Sequence, residues 1–518
     1  MTEDDVYLPT ISIIMPVYNI KKEFLDEAIK SVTEQIYPGW ELCIADASDD
    51  FLTKEYSNTF RIKVVRLEKN LGIALNTNEA LKLATGDFVT FLDHDDLLDK
   101  HFLYHFVDFF LKQGDFDILY FDEDKTSDGI NFGNRFLKPV WSPDLLRSYN
   151  YICHSVIYKK DLLKDGLREG FEGAQDYDLI LRATEKAKKI CHIPRIAYHW
   201  RMHPNSTAQD INSKDYANES GKKALAEHLI RIGRKGIVKD GYAKTAYKIE
   251  YELEEKPKVS ILICNHNQAA LLNKCITSIL GKTTYPNYEI VIVENNSTDS
   301  DIFTYYEEIK KNSDKVKILK WNYKFNFSAI NNYGIDHINN EYILLLNNDT
   351  EIINHDWLDR MMEYIVREDV GVVGAKLYYA DGTVQHAGVV ISAKAPQHVA
   401  HKAKRTDSGY FGRLQVVQDI TCVTGACMMI KKSLWKKHGG LDINLAYAFN
   451  DVDYCFRLFT LGYRIVWTPY AELYHYESQT RGYEDTPEKK KRFGGEIRYM
   501  SNRWGEFLAK GDTMYRVG

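Results

Sequence analysis

At 518 residues the chain exceeds one ordinary hydrophobic core, and domains of roughly 100–250 residues would make two or three of it. Apolar residues at 44% and charged residues at 27% give a globular balance, and the net charge of −6 excludes a protein that holds a polyanion by charge alone. The eight cysteines are scattered without a CxxC pair, so they read as small core residues in a reducing compartment rather than a disulfide or zinc framework.

The start, MTEDDVYLPT, is acidic and lacks the basic and apolar regions of a secretory signal. No apolar run reaches the length of about 18 residues that spans a bilayer. These features predict a cytoplasmic protein, or one that touches the inner face of the plasma membrane peripherally.

ISIIMPVYN at 11–19 is an apolar, β-branched run closing on turn formers, the pattern of a buried parallel strand. FLDEAIKSVTEQ at 24–35 has helical spacing, and ELCIADASDD at 41–50 is a second strand that ends near Asp46. A helix over IALNTNEALKLA (73–84) leads to the strand GDFVTFLDHDD (86–96), which closes on Asp93, His94, Asp95 and Asp96. GAQDYDLILRA (173–183) carries Asp176 and Arg182, and His199 and Trp200 follow in RIAYHWRMHPNST. The stretch 215–235 reads as a polar-faced helix, followed by an extended segment ending at Pro257 without the Gly/Ser richness of a floppy linker.

The series then repeats: VSILICNHN at 259–267, YEIVIVENNSTD at 288–299, NEYILLLNNDTE at 340–351, AFNDVDYCFRL at 448–458, and His475 in AELYHYESQT. Asn19 to Asp46 and Asn267 to Glu294 are each 27 positions, and Asp176 to Arg182 and Asp451 to Arg457 are each six. Asp176 to His199 is 23 positions, against 24 from Asp451 to His475. Four ordered matches at such spacings predict two homologous α/β domains, 1–210 and 257–518, with a helical and extended connector at 211–256. Strands alternating with helices predict a mostly parallel, Rossmann-like sheet in each.

In such sheets ligands bind at the carboxyl ends of strands, where the acidic clusters fall. Asp and Asn there can simply cap helices or make turns, but a pattern present in both halves favours function. Bunched carboxylates repel unless a cation lies between them, and oxygen ligands with an incomplete shell suit Mg2+ or Mn2+ beside a phosphate. A diphosphate leaving group needs that neutralisation, so the constellation suggests group transfer from a diphosphate donor.

The order PVYN, strand-Asp, LDHDD and QDYDLxLR resembles the family 2 inverting glycosyltransferases of GT-A fold, over nearly the whole chain. The resemblance implies that Pro16, Tyr18, Asn19 and Asp46, and Asn265, Asn267 and Glu294 in the second half, hold the nucleotide. It implies that Asp93 and Asp95, the DxD pair, meet donor diphosphate and metal. In the second half Asp349 keeps a carboxylate but Asn347 replaces the first Asp. Asp176 and Asp451 are implied as catalytic bases, and His199 and His475 as late metal ligands for Mn2+ or Mg2+. Arg182, Arg457 and Trp200 read as structural or functional with equal weight. The basic cluster His401–Arg405 reads either as a solvated loop or as facing an acceptor phosphate.

The implied function is a bifunctional enzyme moving sugars from UDP- or dTDP-linked donors onto a growing cell-surface polysaccharide or lipid-linked glycan. The alternative keeps one active domain and makes the second half a non-catalytic carbohydrate- or nucleotide-binding module. A nucleotidyltransferase would carry a glycine-rich phosphate loop after the first strand, which PVYNIKKEF lacks. Nucleic acid is not an expected partner.

Overall fold

The computed structural model describes residues 7–203, 213–392, 395–477 and 486–517. It divides into two compact units, Met1–Ile249 with Arg516–Gly518, and Glu250–Tyr515.

The first unit runs β1 (Ile11–Val17), α1 (Lys22–Thr33), β2 (Trp40–Asp46), β3 (Ile62–Arg66), α2 (Ile73–Leu81), β4 (Phe88–Phe91), β5 (Leu97–Leu98), α3 (Phe102–Gln113), β6 (Ile118–Thr126), β7 (Phe132–Phe136), α4 (Pro143–Leu146), β8 (Val156–Lys159), α5 (Gln175–Lys186), β9 (Ile190–Arg201), α6 (Ser213–Arg231) and β10 (Gly236–Asp240). The unit boundary falls within β11 (Tyr247–Tyr251).

The second unit continues with β12 (Val259–Asn265), α7 (Ala269–Lys282), β13 (Tyr288–Glu294), α8 (Ser300–Asn312), β14 (Val316–Lys320), α9 (Phe327–Asp336), β15 (Tyr342–Asn347), β16 (Thr350–Ile352), α10 (Trp357–Ile365), β17 (Val370–Tyr378), β18 (Val384–His386), β19 (Val389–Ser392), β20 (Ala395–His398), β21 (Gln418–Asp419), β22 (Cys427–Lys431), α11 (Lys432–His438), α12 (Asn450–Thr460), β23 (Arg464–His475) and α13 (Pro487–Ala509).

The two main sheets have the same strand order. The first is β3-β2-β1-β4-β8-β6-β9-β5 and the second β14-β13-β12-β15-β22-β17-β23-β16. In each, the four leading strands are parallel, as their run-like apolar sequences require. β8 and β22 then insert antiparallel to both neighbours, and the sheet closes on the short antiparallel β5 or β16. β6 and β9, and β17 and β23, pair parallel beyond the inserted strand, so each sheet is mostly parallel, as the strand–helix alternation predicts.

All seven residues of β1 and of β2 are buried, because helices cover both faces. Helix α1 buries Leu25, Ala28, Ile29 and Val32, and α7 buries Leu272, Cys275, Ile276 and Ile279, the same i, i+3, i+4, i+7 stripe. Beneath the sheet centre, Glu41 accepts from Ser12 Oγ (2.7 Å), Thr85 N (2.5 Å) and Thr85 Oγ1 (2.8 Å), and pairs with Lys63 (2.6 Å). Glu289 repeats it, taking Ser260 Oγ (2.8 Å), Asn340 Nδ2 (2.9 Å) and Lys317 (2.8 Å). These carboxylates tie the first parallel strands together at the end opposite the acidic motifs.

The stretch read as a connector from 211 folds into the first unit as far as residue 249, where α6 packs on α5. His228 and Arg231 of α6 hold Glu185 of α5 at 2.6 and 2.8 Å. Among the described residues, no helix is long and apolar enough to cross a membrane.

Candidate active sites

At the carboxyl ends of β1 and β2, Asn19 takes a left-handed conformation (φ 43°), which asparagine tolerates better than most residues. Its N–H donates to Ser48 Oγ (3.0 Å), its amide donates to Asp49 (2.9 Å), and its side-chain oxygen accepts from Asp49 N (2.9 Å). Asn267 (φ 52°) repeats the clasp, donating to Ser297 Oγ (2.7 Å) and accepting from Thr298 N (2.8 Å).

Asp46 is fully buried and accepts from Ser48 N, Thr53 N and Thr53 Oγ1, all at 2.9 Å. Glu294 accepts from Ser297 N (2.5 Å), Ser297 Oγ (2.8 Å) and Tyr306 Oη (2.6 Å). The oxygens of both carboxylates are engaged in shaping their own loops, so the surface presented to a ligand is the loop each one folds. Asn265 donates to Tyr306 Oη (3.0 Å), Pro16 is buried in β1, and Tyr18 is 42% exposed beside the clasp.

In the first acidic cluster, the turn after β4 places Asp93, His94, Asp95 and Asp96 together. Asp96 accepts from Tyr198 Oη (2.6 Å) and Arg201 N (2.7 Å), holding that turn to β9. Burial, with the charges of Asp93 and Asp95, pushes its carboxyl well above the usual range. Desolvation likewise raises Asp93; Asp95 and Asp176 reinforce this, while His154 and His94 oppose it. Asp95 pairs with His203 Nε2 at 2.7 Å.

His199, expected beside the metal, is not brought to Asp95. It lies opposite Asp124 in the β6–β9 register and bonds that carboxylate through Nδ1 (2.6 Å), with the Phe132 ring tilted against it at 4.3 Å. His203, just beyond the end of β9, takes the place expected of it. Trp200 carries Lys125 over its ring at 4.5 Å.

The second cluster keeps its histidine. Asp349 Oδ1 lies 3.1 Å from His475 Nε2, and Asn347 Nδ2 is also 3.1 Å from that nitrogen. Gln385 Nε2 points to His475 O (3.3 Å) and Glu477 (3.2 Å), so Gln385 Oε1 accepts from His475 Nδ1–H (2.6 Å). That tautomer leaves Nε2 with a lone pair facing Asp349 Oδ1, a buried oxygen without a hydrogen-bond donor. Asn347 Nδ2 can donate to that lone pair, so Asp349 Oδ1 is the oxygen left open to a cation.

Among the described residues, no three His, Cys, Asp or Glu side chains converge as a complete metal cage. Each unit instead offers a carboxylate–histidine pair, a donor set that suits a divalent ion completing its shell with phosphate oxygens and water.

Asp176 and Asp451 occupy the second positions of α5 and α12. Asp176 Oδ2 accepts from Asn150 Nδ2 and Cys153 Sγ, both at 2.9 Å. Asp451 Oδ2 accepts from Gly425 N (2.7 Å) and Oδ1 from Val452 N (2.8 Å).

The next acid of each motif is structural. Asp178 is fully buried on Arg182 (2.8 Å) and Arg168, and Asp453 is fully buried on Arg457 (2.9 Å) and Trp504 Nε1 (2.9 Å). Both arginines therefore serve packing.

A cavity of about 720 Å³ in the second unit joins these parts, lined by Asn265 and Asn295, by Asn347–Asp349 and His475, and by Gly425 and Asp451. The His401–Arg405 run does not line it; His401 meets Tyr379 Oη (2.7 Å) and Arg405 pairs with Glu472 (3.1 Å).

Sequence reasoning missed several residues. His94 Nδ1 lies 3.0 Å from Pro16 O, and Asn348 Nδ2 donates to Asn265 Oδ1 (2.7 Å), so the middle residue of each acidic motif ties it to the first strand. Tyr306, Gln385, Asn150 and Cys153 were also unforeseen. The spacing of the motifs does not single out His203 either. The 23-against-24 spacing already put His199 and His475 out of step, and the register agrees, since Thr350 opposes His475 whereas Leu97 opposes His199.

Residues 12–166 and 260–439 match the family model described as Glycosyl transferase family 2. An uncharacterized protein, y4gI, of Sinorhizobium fredii is 40% identical over 511 residues, 96% of this chain and 56% of that protein. The O-antigen biosynthesis protein RfbC of Myxococcus xanthus is 35% identical over 492 residues, 93% of this chain and 38% of that protein. The chain thus spans about half or less of the length of these relatives. Among solved structures, S. aureus TarS 1–349 in complex with UDP-GlcNAc is similar at 23% identity and TM-score 0.35, covering 43% of this chain and 72% of that one.

Proposed function

As this chain belongs to glycosyl transferase family 2, we propose that each of its two units is an inverting transferase site that moves a sugar from a UDP- or dTDP-linked donor onto a growing polysaccharide or lipid-linked glycan. The observation that carries this reading is the repetition of one arrangement on one strand order. Each unit has an asparagine clasp, an acidic turn with a histidine, and an aspartate opening a helix. The 720 Å³ cavity falls within the size range of ligand pockets, roughly 300–1,000 Å³.

In the second unit, Asp451 takes the proton of an acceptor hydroxyl as that oxygen attacks the anomeric carbon. The bond from that carbon to the diphosphate oxygen breaks on the opposite face, which inverts the configuration. Gly425 N and Val452 N fix the carboxylate for this step. Asp176 does the same in the first unit, held by Asn150 and Cys153. The asparagine clasps and the loops folded by Asp46 and Glu294 seat the nucleotide.

Asp95 with His203, and Asp93 on the same turn toward the donor diphosphate, would serve a divalent cation in the first unit, and Asp349 with His475 in the second. When bound, Mn2+ or Mg2+ would supply the positive charge that neutralises a leaving diphosphate. The domain division we propose places one transferase site in each compact unit, and peripheral contact with the inner membrane face would bring a lipid-linked acceptor within reach.

The second reading rests on Asn347, which removes one carboxylate and would make the second unit a binding module. The retained geometry of Asp349, His475 and Asp451 weighs against it.

The test is nucleoside-diphosphate release from a panel of UDP- and dTDP-sugars with Mn2+ or Mg2+ and mixed oligosaccharide acceptors, for wild type, Asp176→Asn and Asp451→Asn. Each variant losing a different donor or acceptor supports two active sites. Loss in Asp176→Asn alone makes the second unit a binding module, and no loss in either refutes the assignment of bases.

A further inference from the structure

We propose that His154 reads the donor sugar at the first-unit site, giving a ring N–H to a sugar oxygen, and that the second unit lacks this contact because Ala426 stands in its place. This rests on reading both units as transferase sites.

The equivalence follows from the register of the antiparallel strands β8 and β22. Phe88 pairs with Lys159 in the first unit, and Tyr342 with Lys431 in the second. Phe88 and Tyr342 are themselves equivalent, since each lies opposite the first residue of its leading strand, Ile11 or Val259. Counting back five residues from each lysine brings His154 and Ala426 to one position. The preceding residues bear this out: Cys153 Sγ donates to Asp176 Oδ2 (2.9 Å), and Gly425 N to Asp451 Oδ2 (2.7 Å). The same count sets Asp93 against His154 and Asn347 against Ala426, and Asn347 N donates to Ala426 O (3.0 Å). The position thus lies between the acidic turn, which meets the diphosphate, and the aspartate that meets the attacking hydroxyl. Between those two groups lies the sugar in transfer, and Ala426 lines the second-unit cavity there.

The His154 ring is held in place. It stacks on Tyr198 (4.8 Å between centroids, 11° between planes) and meets Trp200 edge-on at 5.8 Å. Tyr198 is in turn pinned to Asp96 (2.6 Å), and Lys138 Nζ donates to His154 O. Burial raises the Asp93 carboxyl most, and His154 is the neighbour that bears on it next, lowering it. The ring is half-buried, yet neither of its nitrogens has a hydrogen-bond partner among the described residues. Either tautomer leaves one N–H to donate, so the role needs no charge on the ring. The units differ at both members of the pair, Asp93 with His154 in one and Asn347 with Ala426 in the other. A hydrogen-bonding wall rejects a sugar lacking the matching oxygen far more strongly than a methyl wall does, so the two sites select different donors.

The experiment is equilibrium binding to the full chain with Mn2+, in an Asp349→Asn/His475→Asn parent that silences the cation site of the second unit. The probes are bare UDP and dTDP, and UDP-glucose, UDP-galactose, UDP-N-acetylglucosamine and dTDP-rhamnose. His154→Leu and His154→Gln are compared with that parent. Both side chains fill similar space, and only glutamine carries an N–H.

His154→Leu should weaken the sugar nucleotide that the parent binds by roughly 3- to 10-fold, and His154→Gln should stay within about twofold of the parent. Bare UDP or dTDP should bind all three proteins alike. Leucine and glutamine acting alike on the sugar nucleotide overturns the proposal. So does bare nucleotide weakening in step with it, because packing alone then accounts for the ring. A parent that binds bare nucleotide but none of the sugar nucleotides refutes the proposal alone. A parent that binds no nucleotide refutes the transferase reading of the first unit, and the proposal with it.

Discussion

The contact most open to a decisive perturbation is that of Gln385 with His475. Gln385 is buried (5% exposed) and its Oε1 accepts from His475 Nδ1–H at 2.6 Å. Gln385→Leu keeps the volume but orphans that N–H, a penalty of about 1–3 kcal/mol. The ring escapes it by shifting its proton to Nε2 or by turning, and either change removes the lone pair that faces Asp349 Oδ1. The full penalty falls on cation binding and corresponds to roughly 10–100-fold weaker affinity, as for other partners that orient metal-binding histidines.

The assay is Mn2+ titration by electron paramagnetic resonance in an Asp93→Asn/Asp95→Asn background, which silences the first unit and needs no turnover. Gln385→Glu, which still accepts from Nδ1–H, should retain most of the affinity. Unchanged Mn2+ binding in a folded Gln385→Leu protein would refute this account of the histidine.

Hydrogen-bond and pH effects provide further checks. Burial alone would raise Glu41, but Lys63, Thr85 and Ser12 hold it down to about 2 from 4.5. Its folded value is depressed, so its stabilisation, about 3 kcal/mol at most, is present above pH 4.5 and lost as pH falls toward 2. Hydrogen exchange of β1 and β4 amides should show that loss, and Glu41→Gln should show it already at pH 7. Burial, with His398 and His475, pushes His386 well below its usual 6.5, and its Nε2 accepts from Thr424 N (3.4 Å). The unfolded chain takes up that proton first, so second-unit stability should decline as pH drops below 6.5, less steeply in His386→Asn by urea unfolding. Asp178→Ala strands Arg182 and Arg168 and should cost about 3–5 kcal/mol, whereas Asp176→Asn should leave Tm nearly unchanged and abolish first-site transfer.

Much of this organisation is legible in the sequence because it is local and periodic. The strand runs, the two acidic turns and the aspartates opening α5 and α12 each declare themselves within about ten residues. What is not legible depends on register and on distant partners. β9 pairs with β6 through two irregularities, between Phe121 and Asp122 and between Asp122 and Glu123, so the face on which His199 emerges does not follow from counting. The antiparallel β8 and β22 are short apolar runs whose direction only tertiary pairing decides. Tyr306, Gln385 and Cys153 reach the sites from segments with no motif. Asp46 and Glu294 show the converse, residues easily found whose oxygens are engaged by their own loops.

Asp176 and Asp451, the proposed bases, are held by different kinds of donor, and that difference has an evolutionary consequence. Asp451 leans on the N–H groups of Gly425 and Val452, which nearly every codon change at those positions preserves. Asp176 leans on an amide and a thiol, each erased by a single nucleotide change. Selection can therefore retune or silence the first site in one step while the second keeps its geometry through extensive drift. In a lineage of such two-unit chains, the first unit is the one free to innovate.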